Sequence, residues 1–223
     1  MAIKKRPVSP RQKMINLMYV VLMAMLALNV STEVLDGFSI VEDSLNRTTA
    51  NSSAENNAIY SDFADQMKQN PTKVREWFEK AKQVKDMSDA LYNFAQELKV
   101  AIVQEADGKN GDVSSIKNKE NLEAAGIVML APGTGKGKKL YRELNRYRDR
   151  ILELVTDEHQ KKIIASNFST QVPKGEKYLG KNWQEYMFEN MPVAAAVTIL
   201  SKIQSDVRYA EGEVLHNLVA NID

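Results

Sequence analysis

No cysteine occurs in the 223 residues, which excludes disulfides, thiol nucleophiles and cysteine-ligated zinc. Histidine occurs only twice, at His159 and His216, without the His-x3-His or His-Glu-x2-His spacing that a metal site on one helix face needs. No Gly-x-Ser-x-Gly elbow is present to expose a serine nucleophile. Ten glycines and six prolines are too few for collagen or low complexity, and 43% apolar residues are too many for wholesale disorder. Sustained apolar alternation between hairpin turns is also missing, which argues against strands. The glycine-rich Gly133-Thr-Gly-Lys-Gly-Lys-Lys139 superficially suggests a phosphate loop. It lacks the Gly-x4-Gly-Lys-Ser/Thr spacing and a preceding apolar strand, so it reads as a solvated loop leading into a helix. Neither a cofactor nor a metal is expected, and an enzyme is not the favoured class.

The net charge of +1 conceals an uneven distribution. Residues 1–13 carry Lys4, Lys5, Arg6, Arg11 and Lys13 and no acid, residues 14–32 carry no charge, and the remainder holds 25 basic and 29 acidic residues. Between Met14 and Val30, fifteen of seventeen residues are apolar, the exceptions being Asn16 and Asn29. Every face is apolar, as in a lipid-exposed helix and unlike the amphipathic helix of a soluble bundle. Ser9, Pro10 and Gln12 supply the start signal: a capping hydroxyl, a proline suited to the first helical position, and a capping-box glutamine. A helix from Pro10 would span about 30 Å in 20 residues at ~1.5 Å per residue. The run exceeds the usual apolar core of a signal peptide, and no small-x-small cleavage site follows it. We therefore expect an uncleaved anchor with Lys4, Lys5, Arg6 and Lys13 as topogenic charges on the cytoplasmic side. These basic residues read more simply as topogenic than as a nucleic-acid patch.

Beyond Ser31 the apolar residues recur at helical intervals. Val34, Leu35, Phe38, Val41 and Leu45 begin one helix, and Asn70-Pro71 separates it from a second that runs to Asp107-Gly108. The stretch to Gly137 is expected to be irregular with at most short helices. A third helix is expected over about 138–168, a short one over 183–190, and a last one opened by Met191-Pro192. The expectation is thus an all-α chain: a cytoplasmic basic tip (1–9), a single transmembrane helix (10–30), and a periplasmic helical bundle (31–223). The span is expected to run into the bundle as one rod.

The segment Ser9-Pro-Arg-Gln-Lys-Met-Ile-Asn-Leu-Met-Tyr19, with Met25-Leu-Ala-Leu-Asn29 and Glu33-Val-Leu35, resembles the N-terminus of the GldM/PorM family of gliding motility and type IX secretion in Bacteroidetes. Asn190-Met-Pro-Val-Ala-Ala-Ala-Val-Thr-Ile-Leu-Ser-Lys202, with Asp206 and Ala210-Glu211 beyond it, is similar to the same family. The resemblance implies the single-span subunit of an inner-membrane motor driven by the proton motive force. Its members form a homodimer inside a ring of a multi-span GldL-like partner and continue into further periplasmic domains that reach secretion and gliding components. The resemblance also implies that Arg11 pairs with a membrane glutamate of the partner and that Tyr19 lies close to that site. On a helix, Asn16 and Tyr19 fall about 60° apart and Arg11 about 80° from Tyr19, so the three share one broad half of the span. Since residues 14–32 contain no carboxylate, the titrating acid is expected on the partner. A membrane-anchored periplasmic helical sensor is the alternative, in which polar residues of the span serve interfacial anchoring only.

Overall fold

A computed structural model of the chain describes residues 6–28 and 30–222. No strand occurs among the described residues; the elements are α1 (Pro10–Leu28), α2 (Thr32–Gln69), α3 (Pro71–Asp107), α4 (Ala124–Leu130), α5 (Gly137–Leu154), α6 (Glu158–Asn167), α7 (Trp183–Phe188) and α8 (Val193–Ala220), with a 3-10 turn at Glu176–Tyr178. The helical bundle expected from periodicity is therefore present.

Helices α2 and α3 form a hairpin whose connection is one residue. The Asn70 N–H donates to Gln66 O and so closes α2, while its side chain accepts from Lys73 N at 3.3 Å and opens α3. Pro71 at the first position of α3 has no N–H to leave unsatisfied. Helix α8 lies along both arms. Thr198 and Ser201 meet Phe38 and Glu42 of α2, and Arg208 meets Asn56 further along, so α8 runs parallel to α2. Gln204 meets Gln96 and Arg208 meets Asp89, so α8 runs antiparallel to α3. Helices α4 to α7 pack over this three-helix layer. Phe63, Ile102, Met129, Leu140, Leu200 and Leu215 are among the fully buried side chains of the shared core.

The irregular segment before α4 closes helix ends. Asp107 accepts from Lys117 N at 2.8 Å and from Asn118 N at 2.9 Å, which folds the loop back on α3. The carbonyls of Asn121 and Lys119 then accept from Val193 N and Ala194 N at 3.0 and 3.1 Å, satisfying orphan donors at the start of α8. The glycine-rich stretch has a similar role. Gly135 N donates to Ala131 O at 2.8 Å and Lys136 N to Val128 O at 3.0 Å, closing the C-terminus of α4. A Cβ at Gly135 would lie 2.7 Å from Met129 O, and one at Gly137 2.7 Å from that oxygen and 2.8 Å from Gln184 Cβ. These glycines are required by close approach, which gives the segment a structural role.

Two boundary expectations are corrected. The helix expected over about 138–168 is interrupted between Leu154 and Glu158, because Asp157 adopts an extended backbone and its carboxylate caps Gln160 N at 2.7 Å. The continuous rod from α1 into α2 is also interrupted. Ser31 is extended (φ −65°, ψ 146°) and accepts from Val34 N at 3.3 Å, so it caps a new helix.

Among the described residues, no side chain of α1 belongs to the common core. Leu17, Met18, Val20 and Met23 stand in the open, each being 63–69% exposed. No helix among the described residues is long and apolar enough to cross a membrane. Arg11, Gln12 and Lys13 occupy the first turn of α1, and Met14–Leu28 form its apolar portion. Asn29, at the end of the expected span, and the topogenic Lys4 and Lys5 lie outside the described residues.

Candidate functional site

The sequence-identified residues lie on α1. Ser9 caps it, its hydroxyl accepting from Gln12 N at 3.2 Å and its carbonyl from Lys13 N at 3.0 Å. Pro10 is the first helical residue. The Gln12 side chain does not reach back to complete a reciprocal box. Its amide donates forward to Asn16 Oδ1 at 3.1 Å, tying the first polar turn to the one polar residue of the apolar stretch. Arg6, Arg11, Lys13, Asn16 and Tyr19 are exposed. This helix thus presents a guanidinium, an amide and a phenol on one broad half, outside the bundle core.

A second concentration of polar groups lies inside the α2/α3/α8 layer. Glu211 is 1% exposed, yet it accepts from Tyr60 Oη at 2.7 Å, Asn56 Nδ2 at 3.1 Å and Arg208 Nη1 at 2.8 Å. Arg208 also donates to Asp89 at 2.9 Å and stacks over the Tyr92 ring at 4.3 Å. One turn further toward the start of α8, Lys99, 3% exposed, donates to Gln204 at 3.1 Å and lies 3.3 Å from Glu42. Glu42 accepts from Ser201 at 2.7 Å. Burying a charge is tolerated only when it is paired and hydrogen-bonded, and both clusters meet that condition in large part. The exceptions are Arg208 Nε and Glu42 Oε2, buried without a hydrogen-bond partner among the described residues.

The electrostatics follow from this packing. Burial raises the Tyr60 and Tyr147 hydroxyls above the ordinary phenol value, and the Glu211 charge adds to that effect. Burial also raises Asp206, although Lys202 donates to it at 2.6 Å. For Asp89, burial alone would raise the carboxyl, but hydrogen bonds and charge from Lys85 and Arg208 outweigh it and hold the group below its ordinary 3.8. The stabilisation from Asp89 is therefore present above pH 3.8 and lost as pH falls through the depressed folded value. Urea midpoints of the parent chain and Asp89→Asn measured against pH should differ at neutral pH and converge in strong acid. A gap unchanged into strong acid would contradict the linkage.

Glu211 and Asp206 were visible in sequence only as part of a resemblance; Arg208, Lys99 and Glu42 were not singled out. A signal existed for two of them. Glu211 sits four residues from both Val207 and Leu215, and Lys99 sits three before Ile102, positions that helical periodicity assigns to the buried stripe.

Among the described residues no group of His, Asp or Glu could hold a metal ion. An exposed apolar helix followed by an all-helical bundle with charges held in internal layers defines the class of the chain as an all-helical domain. The family model described as the GldM N-terminal domain matches residues 33–221, and the chain belongs to that family of the gliding-motility and type IX secretion motor. Members of that family are structural motor components rather than classical enzymes. No curated protein matches the chain.

Proposed function

We propose that the chain is the single-span subunit of a proton-driven inner-membrane motor, with its bundle in the periplasm and its α1 seated in the bilayer against a multi-span, GldL-like ring. The observation that carries this reading is the composition of α1: a guanidinium at Arg11, in the first turn of a helix whose apolar portion contains no carboxylate. Family membership supports the motor role. Support for seating in lipid comes from the exposed apolar side chains of α1, among them Leu17, Met18, Val20 and Met23. The long side chains of Arg11 and Lys13 can snorkel to the headgroups, so the first turn need not limit how deeply the helix embeds.

In this reading Arg11 faces a membrane glutamate of the partner, with Tyr19 and Asn16 beside it. A nearby guanidinium favours the ionised carboxylate, and separation in low dielectric favours the protonated one. Motion of the ring past a homodimer of α1 would alternate the two conditions and couple proton passage to displacement, which the bundle passes outward to gliding and secretion components. Arg11→Ala and Arg11→Lys are expected to leave membrane insertion and co-purification with the ring intact and to abolish gliding and secretion. Full motility in the alanine variant overturns the assignment; loss of insertion in both variants would make Arg11 an anchoring residue only.

A further inference from the structure

A groove of about 360 Å³ runs between α3 and α5, on a part of the bundle remote in sequence from α1. Its floor is apolar and comes from α3: Met87, Ala90, Leu91 and Phe94, spaced i, i+3, i+4 and i+7 along one face. Its rim comes from α5, where Lys139, Glu143, Arg146 and Arg150 fall at i, i+4, i+7 and i+11 and therefore form one straight stripe. The stripe extends over about 16 Å, or three turns. Glu143 is the single acid in it and is engaged by Arg146 at 3.2 Å. Lys139 lies over the Phe94 ring at 4.5 Å, and neither Lys139 nor Arg150 has a carboxylate within 4.0 Å among the described residues. The groove therefore keeps two uncompensated cations over an apolar floor. Ala90, small and exposed, leaves room for a backbone to approach that floor.

We propose that this groove docks an acidic amphipathic helix of a partner protein. The two aligned stripes fit the i, i+3/i+4, i+7 anchors of a helix lying between α3 and α5. The surplus of positive charge selects a helix whose apolar stripe is flanked by Asp or Glu, because like charge against the rim is repelled. The apolar floor distinguishes this occupant from a simple polyanion, which would need only the rim. The proposal is independent of how α1 sits in the membrane.

The test uses the full chain in detergent micelles and a fluorescein-labelled synthetic helix of about four turns, with leucine at the heptad core positions and glutamate beside them. Fluorescence anisotropy should show saturable binding that weakens with added salt. A scrambled peptide of identical composition should bind at least about tenfold more weakly, since it keeps the charge and loses the stripe. Lys139→Glu/Arg146→Glu/Arg150→Glu should lose the acidic helix by about tenfold or more and gain its lysine-substituted counterpart. That gain separates loss of the surface from loss of the fold. Ala90→Arg should weaken the acidic helix despite adding a positive charge, because the side chain fills the floor. Equal binding of the scrambled peptide, an unchanged affinity in the triple variant, or tighter binding in Ala90→Arg overturns the proposal. So does binding confined to phosphatidylglycerol vesicles, which would assign the groove to an anionic lipid surface.

Discussion

Replacing Arg208 with leucine is expected to cost about 3–5 kcal/mol of folding stability, far more than loss of a surface ion pair. The guanidinium is mostly enclosed, and its partner Glu211 has 1% of its side chain exposed. Without it, Glu211 keeps only Tyr60 and Asn56 as donors and remains a buried carboxylate with no cation against it. Asp89 loses one of its two cationic partners at the same time, and the Tyr92 ring loses its stacked guanidinium. The double variant Arg208→Leu/Glu211→Leu should recover most of the loss, because both desolvation costs disappear together. Urea denaturation of the four corners of the cycle gives the coupling directly. A single-variant loss below about 1 kcal/mol would place the cluster in the class of solvent-screened pairs.

Phe188→Ala should cost a similar amount, about 3–5 kcal/mol, and its effect should be concentrated in one region. Helix α7 has six residues, too few to be stable alone. It is held by a capping box in which Asn182 and Glu185 each satisfy the other's backbone, at 2.9 and 3.0 Å, and by two aromatics driven into the core. Phe188 is fully buried and meets Trp183 edge to face, with ring centroids 6.3 Å apart. Removing the ring leaves a cavity under a six-residue helix whose one remaining aromatic anchor in the core is Trp183. Hydrogen exchange should therefore accelerate first over 183–188, with α2 and α3 protected until global unfolding. Uniform acceleration along the chain would mean that α7 is an integral part of the cooperative core.

The helical elements were legible in sequence where two independent signals coincided. At Asn70-Pro71 a capping side chain and a proline with no N–H to satisfy mark the same place, and the structure turns there within one residue. Periodicity does change at the break at 155–157: Ile151 and Val155 share one stripe, whereas the buried Ile164 falls about 180° from Val155 at ~100° per residue, out of register with a single long helix. The capping geometry of Asp157 decides it. The glycines near 135 gave a negative result in sequence, the failure of a phosphate-loop spacing, and acquired a positive role only with the carbonyls of α4 beside them. The buried charges were harder still. Helical spacing places Lys99 and Glu211 on inward faces, but which cation meets which anion depends on the register between α2, α3 and α8, and that is set by long-range packing. On α1, helical spacing already groups Arg11, Asn16 and Tyr19 on one half, whereas the forward hydrogen bond from Gln12 to Asn16 depends on the side-chain rotamer of Gln12, which spacing does not specify.

The parallel course of α2 and α8 has a mechanical consequence. Tension applied at the start of α2 and at the end of α8 pulls the two helices lengthwise in opposite directions, so their interface is loaded in shear. Interdigitated side chains and both internal ion clusters must then give way nearly together, whereas an antiparallel pair joined at one end would unzip a turn at a time. The bundle is therefore built to resist stretching along its long axis far better than peeling from its side.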